Sequence, residues 1–176
     1  YTQTELDETA AWGVLLPALE AAGAAFSRMR CAEGEKIQRD LYGKLTGVAA
    51  WVDEVERLSA ADTAGYREKL EGRLRAIFAD QAVTVDENRL LTECAVFADR
   101  IAVDEEITRL RAHISAFREI AEEPAPAGKK LDFLMQEMNR ETNTIGSKCA
   151  DAAIARIVVN IKNELEKIRE QVQNIE

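Results

Sequence analysis

Two carboxylates one helical turn apart, Glu137 and Glu141, frame the start of an unusually polar stretch, "MNRETNTIGSK" at 138–148. Residues at i and i+4 share a helix face, and hard divalent cations take such oxygens when waters or further oxygen ligands complete the shell. The same pair also reads as solvated charge partly paired with Arg140, and spacing alone favours that plainer reading. Lys130, Glu137, Glu141 and Lys148 follow one helical stripe, and Asp132, Gln136, Arg140, Asn143 and Ser147 follow the next. Phosphodiester chemistry needs such a mixture. Cations hold the phosphate, while carboxylates hold a metal that lowers the pKa of an attacking water or polarises the phosphoryl oxygen.

A second cluster is "DEEITRLRAH" at 104–113, where Glu106, Arg109 and His113 share one face. Glu106 and His113 are seven residues apart, roughly 10.5 Å along a straight helix, too far to ligate one ion from the same helix. His113 is the only histidine, so a two-histidine acid–base mechanism within one subunit is excluded. A surface or capping imidazole is its plain alternative. No GxxxxGK[ST] loop, GxSxG elbow or HExxH helix occurs, which removes the commonest nucleotide, serine-hydrolase and zinc-protease readings.

These residues need elements to position them, and the pattern predicts helices throughout. Trp12, Leu16, Leu19, Phe26, Met29, Ile37, Leu41, Leu45, Val48, Val52 and Val55 recur mostly three, four or seven apart. Pro17 is a candidate kink, "CAEGEK" at 31–36 a candidate interruption, and Ser59 a candidate second start. "FADQAVTVDENRL" at 78–90 predicts a break, with Asp86 as the N-cap of the next helix. Asp104 is placed as the cap of a helix through Ile107, Leu110, Ile114 and Phe117. "EEPAPAG" at 122–128 is the one clear linker.

From Lys129 to about Asn174 a continuous helix is expected, bent near Gly146 or where the apolar phase changes at 149–154. Its second half carries a heptad, Ile154, Val158, Ile161, Leu165, Ile168, Val172 and Ile175, which predicts a buried seam. The fold expectation is all-α: an elongated helical bundle with coiled-coil-like arms and a long C-terminal helix.

The chain has 176 residues, 47% of them apolar and only 6% aromatic, enough for one helical domain. A net charge of −9 argues against a generic nucleic-acid coat but allows a local basic patch. Three scattered cysteines, Cys31, Cys94 and Cys149, fit neither a disulfide framework nor a zinc site, and point to a reducing cytoplasm. No uninterrupted apolar run of membrane-spanning length and no signal peptide is read. The chain opens at Tyr1 within a helical pattern and reads as a piece of something longer.

Three passages carry a family resemblance. "GKKLDFLMQEMNRE", "NTIGSK" and "ELEKIREQVQN" within 128–176 resemble the C-terminal signature of the YicC/YloC family of bacterial endoribonucleases. "ENRLLTECAVFADRIAVDEEITRLRAHI" at 87–114 resembles the preceding family block, and "EGEKIQRDL" at 33–41 a looser one. The resemblance implies a cytoplasmic RNase that depends on Mn²⁺ or Mg²⁺ and encloses RNA as a ring-like homo-oligomer, a hexamer by expectation, without a membrane. It also implies an N-terminal domain ahead of residues 1–176. On that resemblance His113, Glu137 and Glu141 are the catalytic candidates. Glu137, Glu141, Asp132, Glu106 and Glu93 are the candidate metal ligands, and Arg109, Lys129, Lys130, Arg140 and Lys148 the candidate RNA-binding cations. Two rivals stand beside this reading: an RNA-binding clamp that does not cut, and a structural helical module that serves a catalytic domain elsewhere.

Overall fold

In a computed structural model, which describes residues 8–77, 86–149, 151–173 and 175, the chain is all-α. Five helices occur among the described residues, with no strand: α1 (Glu8–Ile77), α2 (Glu87–Ile101), α3 (Asp104–Glu122), α4 (Gly128–Lys148) and α5 (Ala152–Val172). The chain divides into two compact units, residues 1–41 and 42–176.

In the first unit, α1 runs through Pro17 and through "CAEGEK" without interruption. Ser59, in the second unit, starts no new helix either. Proline and glycine weaken a helix without necessarily ending it, and the flanking residues here are alanine-rich strong helix formers. Trp12, Leu15, Leu19, Phe26 and Met29 form an exposed apolar stripe in this unit. By length and composition alone, one 18-residue stretch within Glu8–Ala61 is apolar enough to cross a membrane.

The second unit holds the core. Leu45, Val48, Val52 and Val55 are fully buried on α1, as are Leu110 and Phe117 on α3. Polar side chains bind the two helices: Arg111 donates to Asp53 and Glu56 at 2.5 and 2.8 Å, and Arg118 donates to Thr46. The Tyr66 ring of α1 stacks on Phe97 of α2. Asp86 caps α2 as expected, accepting from the backbone N–H groups of Asn88 and Arg89. Asp104 does not cap α3. Val103 holds that position and Asp104 opens the first turn, where its charge complements the helix dipole.

The expected continuous helix from Lys129 is two helices. Linker 122–128 ends α3 and delivers Gly128 as the first residue of α4. The helix then stops at Lys148, Cys149 turns extended, and Asp151 caps α5 by accepting from Ala153 N–H at 2.6 Å. α5 folds back along α4, so the two ends of the hairpin meet: Arg169 reaches Asp132 at 3.3 Å. A Cβ on Gly128 would lie 2.5 Å from the Ile175 carbonyl oxygen. Only glycine allows that approach. The phase change at 149–154 is therefore a reversal, and each stripe buries against the other. Leu131, Met135, Met138 and Ile145 of α4 and Ile154, Val158, Ile161, Leu165, Ile168 and Val172 of α5 are all buried.

Candidate metal centre

The face of α4 turned toward α3 is not wholly apolar. Between the buried Met138 and Ile145, the turn beginning at Glu137 presents Glu137 and Glu141 at i and i+4 toward His113 of α3. One ligand atom from each of the three lies within 4.8 Å of the others, with His113 and Glu137 half-buried and Glu141 buried. Glu141 is only 5% exposed. A carboxylate so placed, beside a second one, is costly unless a cation compensates it. Arg109, one turn before His113, supplies part of that compensation. Its Nη1 lies 3.7 Å from Glu141 Oε1 while its Nη2 donates to Glu105. Arg140 lies 3.8 Å from Glu137.

An imidazole with two carboxylates is a mixed N/O donor set that suits a borderline or hard divalent ion. Ligands about 2.1 Å from one ion lie roughly 3 Å apart at right angles and about 4.2 Å apart across it. Donor atoms within 4.8 Å of one another can reach that spacing through small χ adjustments on the two helices. The donors fit a divalent cation.

The other candidates fall elsewhere. Glu106 is buried two turns before His113, where Lys148 Nζ donates to its Oε1 at 2.8 Å and to the Ala102 carbonyl at 3.0 Å. Its Oε2 is buried with no hydrogen-bond partner among the described residues. Burial works to raise the Glu106 pKa, but the Lys148 hydrogen bond, a backbone hydrogen bond and the Lys148 and Arg109 charges together hold the carboxyl below its ordinary value. Lys148 thus braces α4 against α3. Asp132 accepts from Gln136 and Arg169 and ties α4 to α5. Glu93 is exposed on α2, outside the three-residue cluster. Lys129 and Lys130 are exposed in the first turn of α4, Lys130 paired with Glu123 at 2.7 Å. Arg109 and Arg140 flank the cluster itself.

Sequence reasoning passed over the cations of α5. Lys162 and Arg169 border the same outer side of α4 as Arg140 and Asn143. Their seven-residue spacing was visible, but it marks a shared surface only once α5 is known to double back.

Residues 55–176 match the family described as endoribonuclease YicC-like, C-terminal. The chain belongs to the YicC-like endoribonuclease family. It is 42% identical over 174 residues to a probable endoribonuclease YicC of Clostridioides difficile (strain 630), covering 99% of this chain and 59% of that relative. A second probable endoribonuclease YicC, from Haemophilus influenzae (strain ATCC 51907 / DSM 11121 / KW20 / Rd), is 37% identical over 162 residues, 92% of this chain and 55% of the relative. The chain thus spans less than two thirds of the length of these YicC relatives. Its α2–α5 helices, with His113, Glu137 and Glu141, all lie within the YicC-like match.

Proposed function

We propose that this chain is the helical part of a divalent-metal-dependent endoribonuclease that hydrolyses phosphodiester bonds in RNA. The convergence of His113, Glu137 and Glu141 from two helices carries the reading. Two relatives, each a probable endoribonuclease YicC, give the substrate class. His113, Glu137 and Glu141 would hold the cation, with Mn²⁺ or Mg²⁺ the expected ions and the imidazole favouring Mn²⁺. A divalent cation supplies Lewis acidity toward a phosphoryl oxygen and lowers the pKa of water.

The chain's own residues do the rest. Arg109 offsets the Glu141 charge and keeps that carboxylate turned to the cluster. Arg140, exposed beside Glu137, is placed to take a phosphate oxygen and balance charge that builds on it. The α3–α4 packing fixes the three donors before substrate arrives.

We also propose that the whole protein assembles as a ring-like homo-oligomer, with six subunits the expected number. The exposed stripe from Trp12 to Met29 gives each copy an apolar face to bury. Glu20 and Arg28 interrupt that stretch and Arg30 follows it, which suits a protein partner better than a lipid interior. Three free cysteines are at home in a reducing cytoplasm.

The test is RNA cleavage by the whole protein with Mn²⁺, with Mg²⁺ and with EDTA, beside Glu137→Gln, Glu141→Gln and His113→Ala. Each substitution is expected to weaken Mn²⁺ binding, read directly by electron paramagnetic resonance, and to slow cleavage by at least about tenfold. Raised Mn²⁺ should partly restore the single variants. Cleavage that survives EDTA, or variants with wild-type Mn²⁺ curves, would remove the metal role.

A further inference from the structure

The seam between α4 and α5 is an open groove of about 650 Å³, lined by Asn139, Arg140 and Asn143 from α4 and Lys162, Glu166 and Arg169 from α5. Its composition departs from the rest of the chain. Three cations and one carboxylate line it, Arg140 lying near Glu137 and Arg169 bonded to Asp132, in a molecule of net charge −9. Asn139 and Asn143 are one turn apart, and neither amide has a hydrogen-bond partner among the described residues. Lys162 has no ion pair among them either. Arg169 is held against α4 by the bond from its Nε to Asp132, so its guanidinium is fixed at the groove edge rather than wandering.

An amide offers a donor and an acceptor in one plane, the pattern that matches the edge of a nucleobase. Lysine and arginine match the phosphates on either side. A carboxylate among them is wrong for a site that takes phosphate alone, but it accepts from an exocyclic amino group, as cytosine N4 offers. Base edges are reachable in unpaired RNA, whereas an A-form duplex hides most of them. Arg140 joins this groove to the metal centre, because the same side chain lines the groove and approaches Glu137 at 3.8 Å.

We propose that the α4–α5 groove is a binding subsite for an unpaired nucleotide next to the bond to be cut. In it Asn139 and Asn143 read the base edge, Glu166 favours an amino-bearing base, and Lys162 and Arg169 hold the flanking phosphates. The proposal rests on the nuclease reading for the words "to be cut" and on the groove itself for the rest.

The test measures binding and cleavage separately in the whole protein. Fluorescein-labelled eight-nucleotide RNAs of all cytidine, all uridine and all abasic sites are titrated in EDTA, where no cleavage is expected, and followed by anisotropy. Wild type should bind oligocytidine about tenfold tighter than the abasic strand, the worth of one good base-edge pair. Asn139→Ala/Asn143→Ala should abolish that difference. Glu166→Gln should abolish the preference for cytidine over uridine. Lys162→Ala should weaken all three probes alike and flatten the slope of log affinity against log salt by about 0.7. All four residues are on the surface or half-buried, so the fold should persist, checked by circular dichroism.

Equal wild-type affinity for oligocytidine and the abasic strand overturns the proposal, as does a base preference that survives Asn139→Ala/Asn143→Ala. A parallel cleavage assay with Mn²⁺ separates the two readings. If wild type binds as described but does not cut, the nuclease reading fails and the groove stands. If wild type cuts and the groove variants keep its KM, the groove fails and the nuclease reading stands.

Discussion

At the scale of single residues, two neighbouring acid groups on α3 and α4 are treated in opposite ways. Glu141 is buried beside Glu137 and His113, with only a long contact to Arg109, so it keeps capacity for a further cation. Glu106 is buried and satisfied on one oxygen by Lys148, so it has already spent its charge on holding two helices together. The second case makes a stability prediction. Lys148→Met removes the cation and strands a buried carboxylate. The loss should be about 2–3 kcal/mol at neutral pH, less than for a fully buried pair because the Lys148 side chain is 33% exposed. The sign with pH follows from the lowered Glu106 pKa. A carboxylate held below its unfolded value stabilises the fold above the unfolded pKa, and that contribution is lost as pH falls through the folded one. In Lys148→Met, burial, which raises the pKa, is opposed only by the backbone hydrogen bond and the Arg109 charge, so the gap between variant and wild type should narrow as pH is lowered toward 4. Urea midpoints at several pH values check this. A gap that stays constant would mean that Lys148 acts through packing alone.

At the scale of elements, the α4–α5 hairpin carries the unit's seam, and Ile161 lies at its centre with no exposed surface. Ile161→Asp should cost several kcal/mol, at least about 3, by placing a charge where no partner or water can reach it. An unchanged melting temperature would show the face to be open. Gly146 is more informative. An alanine there would gain about 1 kcal/mol of helix propensity. Its Cβ, however, would stand 3.0 Å from Cγ1 of Val158, which is buried in the hairpin. Overpacking of that kind costs about 1–3 kcal/mol, so Gly146→Ala should be mildly destabilising. In a Val158→Ala background the same change should turn stabilising, and a double-mutant cycle reads the coupling.

These elements also show what a sequence carries and what it hides. The heptad 154–172, the Pro-rich linker at 122–128 and the Asp86 cap are local patterns, and each was legible. The reversal at 149–151 was not, because helix period continues on both sides and no proline marks the turn. The phase shift of the apolar stripe and the capping side chain of Asp151 were the traces. Glycine, proline and serine punctuation in α1 suggested breaks that surrounding alanines and leucines override. The grouping of Glu137 with Glu141 was written in their spacing. Their meeting with His113, and the meeting of Glu106 with Lys148, depend on which α3 face packs on α4. Those contacts span 24 and 42 residues, and no local signal fixes them.

At the scale of the whole molecule, the balance of surfaces is uneven in both charge and apolarity. The chain is acidic overall, yet Arg109, Arg140, Lys162 and Arg169 gather around the His113–Glu137–Glu141 cluster and the α4–α5 groove. If the chain takes RNA as proposed, that cationic lining is where a strand would settle. The apolar surplus lies in the first unit, where Trp12 and Phe26 are 58% and 55% exposed and Leu19 is 65% exposed. Water disfavours so many large side chains on one helix, and a monomer gains nothing by keeping them bare. Burial of these three side chains against a second copy would return about 1.5–3 kcal/mol each. Leu19→Asp together with Phe26→Asp places two charges in that contact and should disperse the assembly. The two sites face solvent in the single chain, so its helix content should hold. Light scattering on the whole protein should therefore show wild type as an oligomer and the double variant at lower mass, with matching circular dichroism. RNA cleavage at low enzyme concentration should fall with the mass if the metal centre needs its neighbours to enclose a strand. An unchanged mass would assign the stripe to some other partner and leave the assembly to a different face.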